Sequence, residues 1–336
     1  FRGMFAFAVW DRNQQCMFLA RDRLGVKPLF YAELDGGFLT FGSELKALLQ
    51  HPAFDRQIDP LGVEEYFALG YVADPRTIYK RALKLPPATC LTIRRGQPLP
   101  EPKPYWDVRF TNDSPISLEA AMEELKERLT ESVRLRMISD VPLGAFLSGG
   151  VDSSAVVALM SSLSSAPVNT CSIGFDDPAF NEADFADLVA KQYKTDHLAS
   201  TVAVDDFDLI DTLAGLYDEP YADSSAIPTY RVCELARQRV KVALSGDGGD
   251  ELFAGYHRHY VARAVWRRLQ SFPTGLRRVA DGFFESPVPR AAVGLASRCA
   301  PAAGLGPGQI LRFQKLLRLT GAKDVADLYV RLVTQW

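Results

Sequence analysis

Val141-Pro142-Leu143-Gly144-Ala145-Phe146-Leu147-Ser148-Gly149-Gly150-Val151-Asp152-Ser153-Ser154 is the stretch on which the reading of this 336-residue chain turns. Its apolar first half predicts a buried strand over 141–147, and the residues from Ser153 to Leu163 predict a helix. The loop between them therefore lies at the carboxyl end of a strand, where α/β folds place ligands. Gly149 and Gly150 lack a Cβ, which lets backbone N–H groups turn inward on an anion. Ser148, Ser153 and Ser154 add hydroxyls beside a helix N-terminus whose partial positive charge favours phosphate. A Walker A loop would need Gly-x-x-x-x-Gly-Lys, and this loop has no lysine. It suits a pyrophosphate that leaves as one unit, with Asp152 positioned to hold Mg²⁺, so the chemistry indicated is AMP transfer from ATP.

Downstream, Val168–Gly174 and Val240–Leu244 read as strands and Asn181–Tyr193 as a helix. Strands alternating with helices predict an α/β fold with a doubly wound parallel sheet. A second loop, Ser245-Gly246-Asp247-Gly248-Gly249-Asp250-Glu251, follows the last of these strands. Its glycines permit close approach to a ligand, and its carboxylates converge despite mutual repulsion, which favours metal binding or acid–base work over a structural turn. Between the loops, Asp218-Glu219-Pro220-Tyr221-Ala222-Asp223-Ser224-Ser225 leads into an apolar helix over Ile227–Leu235. Substrate contact and helix capping by Asp223 and the serines are both open readings there. His197 is read as structural. From Ala254 onward the pattern is mostly helical, broken at Pro273 and at Ser286–Pro289.

Upstream, β-type runs at Met4–Trp10, Met17–Arg21, Leu29–Ala32 and Phe38–Ser43 are separated by the turns Asp11-Arg12-Asn13 and Asp35-Gly36-Gly37, which predicts antiparallel sheet. Glu44–Leu49 reads as a short helix, Asp59-Pro60 opens another running through Tyr66, and Ala88–Ile93 reads as a strand. Gln97–Pro104 holds four prolines and reads as a linker. Leu118, Met122, Leu125, Leu129 and Val133 then fall on one helical face and open a second domain.

A hydrophobic fraction of 47% and a charged fraction of 24% fit a globular protein with substantial cores, and the length fits two domains. A net charge of −3 gives no general attraction to nucleic acid or anionic lipid, so neither is expected as a partner. No run of about 20 apolar residues predicts a membrane span, no signal peptide is read, and a cytoplasmic enzyme is the expectation. Cys16, Cys90, Cys171, Cys233 and Cys299 are scattered without a C-x-x-C pair and are read as buried thiols. Phe5, Phe7 and Val9 already alternate as in mid-strand, and Leu328–Val333 runs on without a stop signal, so both ends read as cut.

The chain resembles the glutamine-hydrolysing asparagine synthetases and closely related bacterial amidotransferases. The resemblance is carried by Gly3-Met4-Phe5-Ala6-Phe7-Ala8-Val9-Trp10-Asp11, Ala20-Arg21-Asp22-Arg23-Leu24-Gly25-Val26-Lys27-Pro28-Leu29 and Ser43–Leu48, then by Asp140–Gly144, the loop at Ser148, Ser172–Phe175, Asp218–Pro220, Ser224–Thr229 and Ser245–Tyr256. It implies a partial N-terminal-nucleophile glutaminase domain of αββα type with antiparallel sheet over 1–96 and a linker over 97–116. A PP-loop ATP pyrophosphatase domain over 117–336, with a helical and incomplete C-terminal part, would follow. It implies ammonia from glutamine reaching aspartate activated by ATP as β-aspartyl-AMP. Nucleotide and pyrophosphate contacts are expected at Phe146, Leu147, Ser148, Gly149, Gly150, Asp152, Ser153, Ile173, Ser245 and Gly246. Asp247 is expected to act in forming the acyl-adenylate, and Asp152 and Asp250 to hold Mg²⁺. A homodimer is compatible with these features.

Departures from the family pattern bear on this reading. The family's nucleophile is a cysteine at the mature N-terminus, to which no residue of this chain corresponds, and Cys16 and Cys90 do not replace it. Asp247 stands where family members carry glutamate, and a late lysine of the family is expected beyond Trp336. Another carboxylate acceptor, in a surface polysaccharide or a peptide, and a nucleotide-binding module without catalysis are the alternative readings.

Overall fold

Asp11 makes the first hairpin: its carboxylate accepts the N–H groups of Asn13 and Gln14 at 2.8 and 2.9 Å, an Asx turn that reverses the chain. The computed structural model describes residues 1–110, 116–176, 181–202, 209–271 and 319–334. In chain order the first elements are β1 (Ala6–Asp11), β2 (Cys16–Arg21), β3 (Phe30–Leu34), β4 (Phe38–Gly42), α1 (Leu45–Leu48), α2 (Pro60–Leu69), β5 (Ala82–Lys84), β6 (Thr89–Arg94) and β7 (Lys103–Pro104). Among the described residues they build two antiparallel sheets, ordered β1-β2-β6-β7 and β4-β3-β5. The proline-rich stretch thus ends in a strand, Lys103 and Pro104 pairing with Cys90 and Thr89.

The alternation along β3 explains the layering. Tyr31 joins Leu19, Leu29, Leu85 and Leu91 in a core shared with the first sheet. Phe30, Ala32 and Leu34 face the other way, onto Leu45 and Leu48 of α1, with Val63 and Tyr66 of α2 alongside. Asp59 caps α2 through the Leu61 N–H, and Pro60 takes the first helical position, where its missing donor costs nothing.

The next elements are α3 (Leu118–Arg136), β8 (Leu143–Phe146), α4 (Val151–Leu163), β9 (Asn169–Phe175), α5 (Ala183–Tyr193), β10 (Asp196–Val202), α6 (Ile210–Leu216), α7 (Ala226–Ala236) and β11 (Val242–Leu244). The four strands form one parallel sheet in the order β10-β9-β8-β11. One face is covered by α3, α4 and α5, through Val133, Val157, Met160, Ala186 and Ala190. The other meets Val232, Leu235 and Ala236 of α7, which pack on Cys171 and Phe146. This is the expected sheet with helices on both faces. β10 is an addition to the sequence reading.

Contacts divide the chain into one unit over Phe1–Asp247 and another over Gly248–Trp336. The second holds α8 (Gly249–Phe253), α9 (His257–Gln270) and α10 (Val325–Val333), around a core of Ala262, Leu269, Leu319, Ala322 and Leu328. The expected breaks at Pro273 and Ser286–Pro289, and Cys299, lie outside the described residues. Cys233 is exposed, correcting its reading as a buried thiol; it sits on α7, on the side turned from the sheet.

Candidate functional site

The site is assembled at the carboxyl edge of the parallel sheet. Leu244 of β11 pairs with Ala145 of β8, so the loops after these two strands leave side by side. On the other side of β8, Phe146 pairs with Cys171 of β9, two residues before Ile173. Phe146, Leu147, Ile173, Ser245 and Gly246 are therefore carried on neighbouring strand ends. Leu147 is 1% exposed and serves the core, its N–H donating to the Cys171 carbonyl at 2.9 Å.

The first loop is held by its own hydroxyls. Ser148 Oγ and Ser153 Oγ lie 3.0 Å apart, Ser148 Oγ accepts the Gly150 N–H at 3.2 Å, and Ser153 Oγ donates to the Gly150 carbonyl at 3.2 Å. The Ser148 N–H donates to Ser153 Oγ at 3.3 Å. These serines shape the cradle. The sequence reading assigned them to the ligand alone. Ser154 Oγ is buried without a hydrogen-bond partner. Gly150 is the N-cap of α4, and no side chain caps the helix, which leaves its first-turn N–H groups and positive end available to an anion.

Two glycines set the loop spacing. Gly149 has φ +83°, and a Cβ there would come within 2.5 Å of Phe185 Cβ and 2.6 Å of the Ala186 nitrogen, so the loop rests on the start of α5. A Cβ on Gly246 would meet the Ser153 nitrogen at 2.8 Å and two Asp152 atoms at 3.0 Å. The second loop thus presses its backbone on the N-terminus of α4. Asp247 follows, exposed, with Oδ2 accepting from Ser245 Oγ at 2.9 Å.

Asp250 belongs to the second unit. Its Oδ1 lies where a Cβ on Gly255 would sit, 2.0 Å from that ideal position, and the Gly255 N–H donates to its carbonyl at 3.0 Å. In the same unit Tyr256 Oη donates to Glu251 at 2.6 Å, which holds that carboxyl below its usual range. Among the described residues no group of three or more His, Cys, Asp or Glu side chains converges as a metal cage.

His197 sits on β10 with Nδ1 2.8 Å from Thr170 Oγ1 and Nε2 3.1 Å from Ser172 Oγ, both on β9. Burial lowers its pKa, against the opposing pull of Asp187. The ring staples two strands. Asp223 accepts the Ser225 N–H at 2.8 Å in an Asx turn just ahead of α7, whose N-cap Ser225 carries no side-chain cap bond. Asp218 and Glu219 point elsewhere. Asp218 accepts the Leu45 N–H at 2.6 Å, and Glu219 meets Lys84 Nζ at 2.6 Å. The sequence reading names Asp218 and Glu219 only within a polar segment open to substrate contact, and their pairing with α1, Lys46 and Lys84 escaped it; the available signal was an acidic pair without a nearby cation.

The family model described as asparagine synthase matches residues 124–333, and that described as a glutamine amidotransferase domain matches residues 1–106. The chain belongs to the asparagine synthase family. It is 42% identical over 264 residues to a protein of Methanocaldococcus jannaschii named putative asparagine synthetase [glutamine-hydrolyzing] 2, covering 77% of this chain and 50% of that one. A putative asparagine synthetase [glutamine-hydrolyzing] of Mycobacterium bovis is 37% identical over 86% of this chain and 44% of its own. Asparagine synthetase [glutamine-hydrolyzing] 1 of Bacillus subtilis is 32% identical over 83% and 43%. The chain spans about half the length of these relatives. The asparagine synthase match contains the whole parallel sheet, and the amidotransferase match contains both antiparallel sheets. No helix among the described residues is long and apolar enough to cross a membrane.

Proposed function

We propose that the full-length protein makes asparagine from aspartate, with ATP as the activating reagent and glutamine as the nitrogen source. The observation that carries this reading is the seating of Gly246 on the N-terminus of α4, which sets two glycine-rich loops on one anion-binding helix end. One loop alone fits any phosphate. Two loops from adjacent strands, the second delivering Asp247 and Ser245, fit a nucleotide whose α-phosphate is attacked while its pyrophosphate is held.

The aspartate side-chain carboxylate is a poor electrophile until one oxygen belongs to a leaving group. In the proposed first step that oxygen bonds to the α-phosphorus and the bond to the β-phosphate bridging oxygen breaks, releasing pyrophosphate. The uncapped first turn of α4 binds the departing charge, the Ser148 and Gly150 amides being engaged by Ser153 Oγ and Ser148 Oγ. Phe146, Ile173, Ser245 and Gly246 hold the nucleotide, Leu147 supporting them from the core, and Asp247 orients the acyl-adenylate stage, its carboxylate anchored by Ser245 Oγ. Ammonia then attacks the acyl carbon, the carbon–oxygen bond breaks, and AMP leaves with the carboxylate oxygen. Asp152, in the first turn of α4, is a proposed Mg²⁺ carboxylate, and Mg²⁺ usually needs only one or two of these beside phosphate oxygens, so this residue fits; Asp250 of the second unit is proposed separately as a metal ligand. When bound, Mg²⁺ neutralises pyrophosphate charge. Aspartate-dependent production of AMP and pyrophosphate by the full-length protein tests the reading; ADP and inorganic phosphate in their place would oppose it. A cytoplasmic setting and a homodimer belong to the same proposal.

A further inference from the structure

The segment between α6 and α7 is fastened to the amidotransferase part at three points. Asp218 supplies the missing cap of α1: the helix has no side-chain cap of its own at Glu44, and Asp218 accepts from Leu45 N–H at 2.6 Å and Lys46 N–H at 3.4 Å. Lys46 answers in kind, its Nζ donating to the last carbonyls of α6, Gly215 and Leu216, at 3.1 and 2.6 Å. A carboxylate thus meets one helix N-terminus while an ammonium meets the other helix's C-terminus, both favoured by the peptide dipoles. Glu219 goes deeper. Its Oε2 lies 2.6 Å from Lys84 Nζ on β5, both side chains only 12–13% exposed, and its Oε1 accepts the Ile78 N–H at 2.7 Å. Lys84 also donates to the Val72 carbonyl at 2.6 Å, and the Ala222 N–H donates to the Gly70 carbonyl at 2.8 Å.

A buried ion pair is weak evidence for stability, because desolvation offsets its attraction, and its best-attested use is to fix register. Here the register is that of one domain on another. The segment runs on through Asp223 into α7, whose Val232, Leu235 and Ala236 pack on Phe146 and Cys171 beneath the nucleotide loop. Glu219 and α7 are thus joined by one short chain segment, exposed over 220–225, and α7 in turn packs on the strand end that carries the first loop.

We infer that Asp218 and Glu219 are positioning residues that hold the amidotransferase part in the register needed to pass nitrogen to the activated carboxylate. Their carboxylates are engaged by Leu45, Lys46, Ile78 and Lys84. The inference rests on the proposed glutamine-dependent reaction. Its specific content is that the joint governs delivery of nitrogen and leaves activation alone.

The test compares the full-length wild type with Glu219→Gln, Asp218→Asn and the paired Lys84→Gln/Glu219→Gln variant, which leaves no lone buried charge if single changes impair folding. Pyrophosphate release with aspartate and MgATP is measured with ammonium and with glutamine, alongside glutamate release. A register error of about 1 Å can cost about 100-fold in a positioned step, so glutamine-supported synthesis should fall by about tenfold or more. Ammonium-supported synthesis should stay within about twofold, with surplus glutamate formed per pyrophosphate. Equal loss with both donors, or no loss with either, overturns the inference. A wild type inactive with ammonium, or active with ammonium but not glutamine, indicts the proposed function instead. The joint is then judged by amide exchange: Glu219→Gln must accelerate exchange over 45–49, 78–84 and 217–222 together, and unchanged exchange there overturns it.

Discussion

Gly246→Ala places a methyl group where the two nucleotide loops meet. The new Cβ would lie 2.8 Å from the Ser153 nitrogen and 3.0 Å from two Asp152 atoms, against ordinary contacts of 3.4–4 Å. Two of the three neighbours are main-chain atoms, so no side chain can swing away, and the loops must part by about half an ångström. Overpacking of this kind costs about 1–3 kcal/mol, equivalent to about 5- to 150-fold in affinity. Because the clash is at the anion-binding turn itself, that cost should appear in ATP binding. Titration calorimetry with MgATP reads it directly, and thermal unfolding separates it from general damage. Gly215→Ala is the control: it lies in α6 with nothing within 4 Å of the added methyl and should leave ATP affinity unchanged. An unchanged affinity in Gly246→Ala would refute the claim that the loops share one ligand.

Asp247→Asn should lower the rate of aspartate-dependent pyrophosphate release by about 10²–10⁴ and leave ATP affinity close to wild type; equal losses in both would give Asp247 a binding role. Ser153→Ala removes the acceptor of the Ser148 N–H and the donor to the Gly150 carbonyl, so it should weaken ATP binding by about 1–3 kcal/mol, measured by the same calorimetry. The pH dependence of stability should carry the signature of His197. Its pKa is lowered in the fold by burial, so as pH falls the unfolded state takes up a proton first. Stability is therefore present above about pH 6.5 and is lost as pH drops from there toward the folded pKa. Urea unfolding of wild type and His197→Gln at pH 7.5 and 5.5 should show the wild-type advantage shrinking at the lower pH; a constant difference would mean that the ring is not held neutral.

The β8–loop–α4 unit was readable because its signals are local: an apolar run, two adjacent glycines and a following helical face. The hairpins from Ala6 to Gly42 were readable for the same reason, each turn carrying its own Asp or Gly. β10 was missed because Asp196, His197, Ser200 and Thr201 break the apolar run, and the partners of His197 lie on β9. The face of α3 was legible as a helix, yet Leu118 and Met122 are 71% and 61% exposed while Val133 is buried, since periodicity does not say how far a stripe is covered. At Asp218 the bonded N–H is 173 positions away, a pairing that no window of sequence contains. The hydroxyls of Ser148 and Ser153 were seen, but their mutual bonding depends on the fold of the turn.

The most direct test follows oxygen from aspartate. The full-length protein is given MgATP, ammonium and aspartate labelled with ¹⁸O in its side-chain carboxylate, and the nucleotide product is weighed by mass spectrometry. Activation through an acyl-adenylate predicts AMP carrying one ¹⁸O atom for each asparagine formed, with unlabelled pyrophosphate. Label in inorganic phosphate alongside ADP, or AMP without label, would contradict it.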